Sequence, residues 1–116
     1  MIQSYKDIIV WQKSHQLVLM VYRLTEKYPK HELFGLTGQT RRAAVSVPSN
    51  LAEGFKRKTI KDSLHFYNFA QGSLEELRYQ LFLAKDLKYI LEAEYQEAEN
   101  LADEVARLLF SWMKNH

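Results

Sequence analysis

The sequence predicts an all-α protein, an antiparallel up-down-up-down four-helix bundle, on three observations. Apolar residues recur at helical spacing in four separate segments. Breakers are scarce: two prolines and four glycines in 116 residues leave little room for the turns that many short strands require. The gaps between the segments are short, and short connections join antiparallel neighbours. A chain of this length forms one domain, residues 1–116, and buries roughly two-thirds of its unfolded surface with no disulfide or metal staple.

The first helix is expected from Ile8 to Tyr28. Val10, Leu17, Val21, Leu24 and Tyr28 make its apolar stripe, Ser14 fills the remaining place, and Trp11, Val18, Tyr22 and Thr25 widen the face. Pro29 stops it, because a proline disfavours α geometry in the residue before it. The second helix is expected from Leu36 to Phe55, with Leu36, Thr40, Ala43, Val47, Leu51 and Gly54 inside. Pro48 lies within it, removes one backbone hydrogen bond and crowds the carbonyl four residues earlier. The apolar spacing passes through Pro48, so a proline kink near Ala44 in a continuous helix is preferred to a break into two.

Thr59, after Lys56-Arg57-Lys58, reads as an N-cap with Asp62 three residues on. It opens a third helix expected from Ile60 to Tyr89, striped by Phe66, Ala70, Leu74, Leu77, Leu81, Ala84 and Leu87. Phe69, Tyr79, Phe82 and Leu83 lie outside that stripe and give more apolar surface than one core needs. The fourth helix is expected from Glu92 to Lys114, on Ala98, Leu101, Val105, Leu108 and Trp112. Its acids come first and Lys114 last, as the helix dipole favours.

Charge is distributed unevenly. The net value is only +2, yet residues 1–88 hold fourteen of the sixteen Lys and Arg and eight of the fourteen acids, while residues 92–116 hold two bases and six acids. The densest basic run is Lys56, Arg57, Lys58 and Lys61, with Arg41 and Arg42 as a second pair. Such clusters suit phosphate contact, and they also occur on ordinary solvated surfaces. Gln39, Arg42, Ser46, Ser49, Asn50 and Glu53 share one face of the second helix. That polar stripe is either a subunit or ligand contact or the solvent side of an amphipathic helix. The surplus aromatics of the third helix favour self-association, because exposed apolar patches usually have a partner.

Several chemistries lack their residues. There is no cysteine, hence no disulfide, thiolate zinc site or thiol nucleophile. Asp62-Ser63-Leu64-His65 is half of an inexact di-iron motif, and His15, His31, His65 and His116 show no paired ligand spacing, so no metal and no cofactor are expected. No phosphate-binding glycine loop or nucleophile elbow is present, so the chain is not expected to be an enzyme. Trp11 and Trp112 fall on or beside core stripes and read as packing residues. The start is polar, without a signal-peptide core, and no apolar run is long enough to span a bilayer; a soluble, cytoplasmic protein without membrane contact is expected.

The run Arg41-Arg42-Ala43-Ala44-Val45-Ser46-Val47-Pro48-Ser49-Asn50-Leu51-Ala52-Glu53-Gly54 closely resembles the bacterial four-helix-bundle proteins of the 23S rRNA intervening-sequence family. Ile9-Val10-Trp11-Gln12-Lys13, Glu32-Leu33-Phe34-Gly35-Leu36-Thr37, Gly72-Ser73-Leu74-Glu75-Glu76-Leu77 and Ala84-Lys85-Asp86-Leu87 extend the likeness to about Ile90. The resemblance implies a four-helix bundle, and ring-shaped pentamers like those of the related accessory proteins of diversity-generating retroelements. It also implies nucleic-acid binding through a basic surface. Arg78 stands where relatives often carry Glu, and Lys88 where they often carry Gly. Without that glycine stop the third helix is expected to run on.

Together these readings give a non-catalytic, ring-forming homo-oligomer, a pentamer by resemblance, that binds RNA or DNA. Arg41, Arg42, Lys56, Arg57, Lys58 and Lys61 are its expected phosphate contacts. Ser46, Asn50, Glu53, Phe69, Tyr79, Phe82 and Leu83 are its expected subunit contacts. The alternative is a scaffold that docks on a partner protein without touching nucleic acid.

Overall fold

The structure, a computed structural model, describes all 116 residues and contains no strand. Its helices are α1, Ile9–Thr25; α2, Gly38–Phe55; α3, Ile60–Asp86; and α4, Glu92–Lys114. Short 3-10 turns at Tyr5–Asp7 and Lys30–Glu32 and one π-helical turn at Leu33–Thr37 complete the chain. Each helix packs on its sequence neighbours, and α1 closes against α4. Those two run antiparallel: Ile8 and Val10 share a cleft with Leu108 and Trp112 at one end, and Lys27 pairs with Glu94 at the other.

The expected stripes of α1 and α2 and most of that of α3 meet in the middle, while the inner face of α4 is turned so that Ala102 and Leu109 are buried and Leu101, Leu108 and Trp112 only half-buried. Val10, Leu17, Val21 and Leu24 of α1, Ala43, Val47 and Leu51 of α2, Ala70, Leu74, Leu77, Leu81 and Ala84 of α3, and Ala98, Ala102, Val105 and Leu109 of α4 are all buried. Each of the larger side chains contributes about 1.5–3 kcal/mol on leaving water. Ser14 is tolerated among them because its hydroxyl donates to the Trp11 carbonyl at 2.8 Å. The helix α2 is continuous through the buried Pro48, so there is no break into two.

The helix ends differ from expectation, each for a local reason. The α1 helix stops at Thr25 because the Lys27 and Tyr28 N–H groups turn back to the Leu24 and Thr25 carbonyls, at 3.2 and 3.1 Å, tightening the chain before Pro29. The regular part of α2 begins at Gly38 because the Glu32 carboxylate accepts the Leu36 N–H at 3.1 Å and holds the π-helical turn ahead of it.

The run-on of α3 past Lys88 is overturned. The helix ends at Asp86, and Lys88 itself takes the left-handed conformation, φ 66°. Its N–H bonds the Lys85 carbonyl and the Tyr89 N–H bonds the Ala84 carbonyl, both at 2.9 Å, which is the bonding of a glycine stop without the glycine.

The inner face of α3 is also rotated at its start. Phe66 is only half-buried and Leu87 is exposed, whereas Tyr67 is buried. The cause lies on α2: a Cβ at Gly54 would come within 2.4 Å of the Tyr67 ring, so the missing side chain makes the space the tyrosine fills. Ser63 then donates to the Gly54 carbonyl at 2.7 Å and locks the two helices there.

Candidate nucleic-acid interface

The corner between α2 and α3 is rigid in backbone and basic in side chains. The Lys56 and Arg57 N–H groups close α2 on the Glu53 and Gly54 carbonyls, both at 3.2 Å, and the Thr59 hydroxyl accepts the Asp62 N–H at 3.1 Å to open α3. Lys56, Arg57, Lys58 and Lys61 all project into solvent from this frame. Arg57 is already engaged: it donates to Glu53 at 2.9 Å and lies over the Phe66 ring at 4.9 Å. Lys56, Lys58 and Lys61 take part in none of the ion pairs.

Arg41 and Arg42 form a separate site near the start of α2, about 22 Å along the helix from Lys56 at 1.5 Å per residue. The Arg41 Nε donates to the Thr25 hydroxyl at 2.8 Å, and its guanidinium lies over the Tyr22 ring at 4.7 Å. Arg42 is exposed, and neither arginine has a carboxylate partner. The six expected phosphate contacts are thus two groups on one helix and its exit, not one patch.

The acids of α4, Glu97 apart, are used inside the molecule. Glu104 faces Lys13 at 3.6 Å, Glu94 pairs with Lys27, and Glu92 faces Lys85 at 3.9 Å. Glu99 takes a 2.5 Å bond from Arg78, which also reaches Asp103 at 3.9 Å. The hydrogen bond to Glu99 holds the Arg78 guanidinium above its ordinary pKa. Lys13 of α1, Lys27 just after it, and Arg78 and Lys85 of α3 are therefore paired with α4, while Arg23 and Lys61 are not. The bases of α2 and its exit, Arg57 apart, have no carboxylate partner.

The polar stripe of α2 lies largely along its seam with α3. The Ser46 and Ser73 hydroxyls are 2.8 Å apart, and the Asn50 amide donates to the Ser46 carbonyl and hydroxyl at 2.8 and 2.9 Å. Gln39, Arg42, Ser46, Ser73 and Glu76 line an open polar cleft there. Glu53 belongs to the basic corner through Arg57.

The surplus aromatics are on the surface: Phe69, Tyr79 and Phe82 are 53, 63 and 43% exposed. They do not form one patch. Phe69 packs against His65 at 4.7 Å, while Phe82 turns toward α4, 6.0 Å from Tyr95 and beneath Lys85. Leu83 is half-buried against the core. No three His, Asp or Glu side chains gather where a metal ion could be held.

Sequence reasoning missed a groove between α1 and α2. Trp11 does pack against the core, as does Trp112. Its ring also stacks flat on the exposed His15 ring, 5.3 Å apart at 7°, with Tyr5 edge-on at 5.1 Å. The signal was the spacing of Trp11, His15, Val18 and Tyr22, which share one helix face.

Comparison with known proteins bears on this arrangement. A comparison with curated proteins finds no match. Among solved structures, the chain is similar to a protein with unknown function from the S23 ribosomal protein family of Bacteroides thetaiotaomicron VPI-5482. The TM-score is 0.84 at 24% identity, over 91% of this chain and 99% of that one, a likeness of fold. The family model described as 23S rRNA-intervening sequence protein matches residues 6–111, which takes in all of α1 to α3 and most of α4. The chain belongs to the 23S rRNA-intervening sequence protein family.

Proposed function

We propose that this protein is a non-catalytic, cytoplasmic, ring-forming homo-oligomer that binds RNA or DNA through the phosphates. The pentamer and the kinship with diversity-generating retroelement accessory proteins, both implied by the sequence resemblance, belong to this reading. The observation that carries it is the partition of ion pairs. Acids of α4 are matched to Lys13, Lys27, Arg78 and Lys85, whereas Arg41, Arg42, Lys56, Lys58 and Lys61, strung along α2, its exit and the first turn of α3, have no carboxylate partner; Lys6, Arg23, Lys30, Lys88 and Lys114 are unmatched too, on other elements. Unpaired exposed cations of this kind gain most from releasing the counterions of a phosphate backbone.

The test is the salt dependence of binding to a generic RNA and to a generic DNA. Affinity should fall steeply and linearly with the logarithm of salt concentration, with little sequence preference. Replacing Lys56, Lys58 and Lys61 together by Ala should reduce the slope by about one for each lysine that meets a phosphate. Absence of binding at low salt would sink the reading.

A second reading has its own observation. Phe69 and Tyr79 stay more than half exposed at separate positions on α3, each an apolar side chain that a protein partner or another subunit would cover. A partner captured equally before and after nuclease treatment, and lost on replacing Phe69 and Tyr79, would favour that scaffold.

A further inference from the structure

The groove between α1 and α2 combines two features that single-stranded nucleic acids use. One wall carries Tyr5, Trp11, His15 and Val18; the other carries Val45, Pro48, Ser49 and Ala52. The cleft holds about 240 Å³. That is below the roughly 300–1,000 Å³ of sites for drug-sized ligands and suits a single planar ring system. The Trp11 ring, fixed against the core, orients His15, and the exposed His15 ring lines the groove. Two faces of the wall are polarised differently: Ser49 offers a hydroxyl, while Val45, Pro48 and Ala52 offer a flat apolar surface.

Cations flank the cleft along the same helix. Tyr22 continues the α1 wall one turn beyond Val18, and Arg41 covers it at 4.7 Å. Its Nε is held by Thr25, which fixes the guanidinium without neutralising it. At the other end Lys56 follows Ala52 by one turn and is unpaired. The two cations are about 22 Å apart along α2, the reach of a few nucleotides of extended strand. Aromatic faces between cations are the composition of single-strand grooves, where bases stack and the backbone follows the charge.

We propose that this groove seats an unpaired nucleobase against the His15 ring, with phosphates of the neighbouring nucleotides on either side at Arg41 and Lys56. The proposal rests on the nucleic-acid reading above and sharpens it: the preferred ligand is a single strand, not a duplex, whose stacked bases cannot enter the cleft.

The probe is a short oligonucleotide of RNA or DNA, single-stranded or annealed to its complement, titrated at low salt. In a Trp112→Phe background Trp11 is the one remaining tryptophan, and its emission should be quenched by the single strand and not by the duplex. His15→Ala is at an exposed position and leaves the core intact. It should weaken single-strand binding by about 5- to 150-fold, the range found for losing one stacking partner, with duplex binding unchanged. Equal, salt-sensitive binding of strand and duplex, indifferent to His15→Ala, would overturn the groove while leaving the phosphate reading in place. No binding of either probe would remove both. A change in particle mass on His15→Ala would give the groove to a second copy of the chain and overturn the proposal.

Discussion

Lys88 holds a backbone conformation that an L-residue adopts at a cost of about 1–2 kcal/mol. The turn forms nonetheless because the two residues after it are anchored. Ile90 is buried, the Tyr89 ring packs on Tyr28 at 5.4 Å, and the Tyr89 hydroxyl donates to Glu32 at 2.8 Å. Lys88→Gly keeps every one of these contacts and both capping bonds. It should raise stability by about 1 kcal/mol, the relief being partly offset by the greater freedom of glycine in the unfolded chain. Urea denaturation reads this as a higher midpoint at unchanged slope; an unchanged midpoint would mean that the turn is not strained. The residue also marks what local sequence could not say. A missing glycine reads as a longer helix, and only the anchoring of Tyr89 and Ile90 on distant residues decides otherwise. Tyr67 was illegible for the same reason: its burial depends on an absent side chain at Gly54, on another helix.

Two glycines within helices separate what packing requires from what it leaves open. Gly54 is fixed by the Tyr67 ring. Gly72, in the middle of α3, faces open space: an added Cβ there meets no atom within 4 Å. An interior helical glycine lowers stability by about 0.5–1 kcal/mol relative to alanine, and nothing in the single chain compensates for it. Gly72→Ala should therefore stabilise the isolated chain by about that amount, measured by thermal or urea unfolding at low protein concentration. A loss of stability instead would show that another molecule packs against this position. The elements themselves were largely legible. The stripe running through Pro48 identified α2 as one helix, and the apolar spacing from Ala98 to Trp112, with acids first and Lys114 last, gave α4 from Glu92 to Lys114 as observed. The candidate site was legible as a set of cations and not as an arrangement. Which cations α4 neutralises, and that Arg41 lies against Tyr22 while Arg57 lies against Phe66, are facts of helix packing.

At the scale of the whole molecule, the two ends of the bundle are built differently. The end bearing the α1–α2 and α3–α4 connections is latched by carboxylates. Glu32 accepts the Leu36 N–H and the Tyr89 hydroxyl, joining the two connections, and Glu94 accepts the Leu91 N–H at 2.9 Å and pairs with Lys27. These bonds hold both carboxyls below their ordinary value of 4.5; in each case the backbone N–H is the largest cause. At the opposite end the α2–α3 corner is closed by the Thr59 hydroxyl and the Ser63–Gly54 bond, which do not titrate, and the carboxylate latch there, Asp7 on the Gln3 and Ser4 N–H groups, holds only the start of the chain. A carboxyl depressed in the fold contributes stability that is present above its unfolded pKa and lost as pH falls through its folded pKa. The latched end should accordingly loosen first in acid. Hydrogen exchange corrected for intrinsic rates should show protection at Leu36 and Leu91 falling below about pH 4.5, while Asp62 and Ser63 hold theirs. The Glu32→Gln, Glu94→Gln double variant should have weaker protection at neutral pH and little further loss on acidification. A uniform fall at both ends would instead mean that acid acts through the molecule's overall charge, with the bundle opening as one unit.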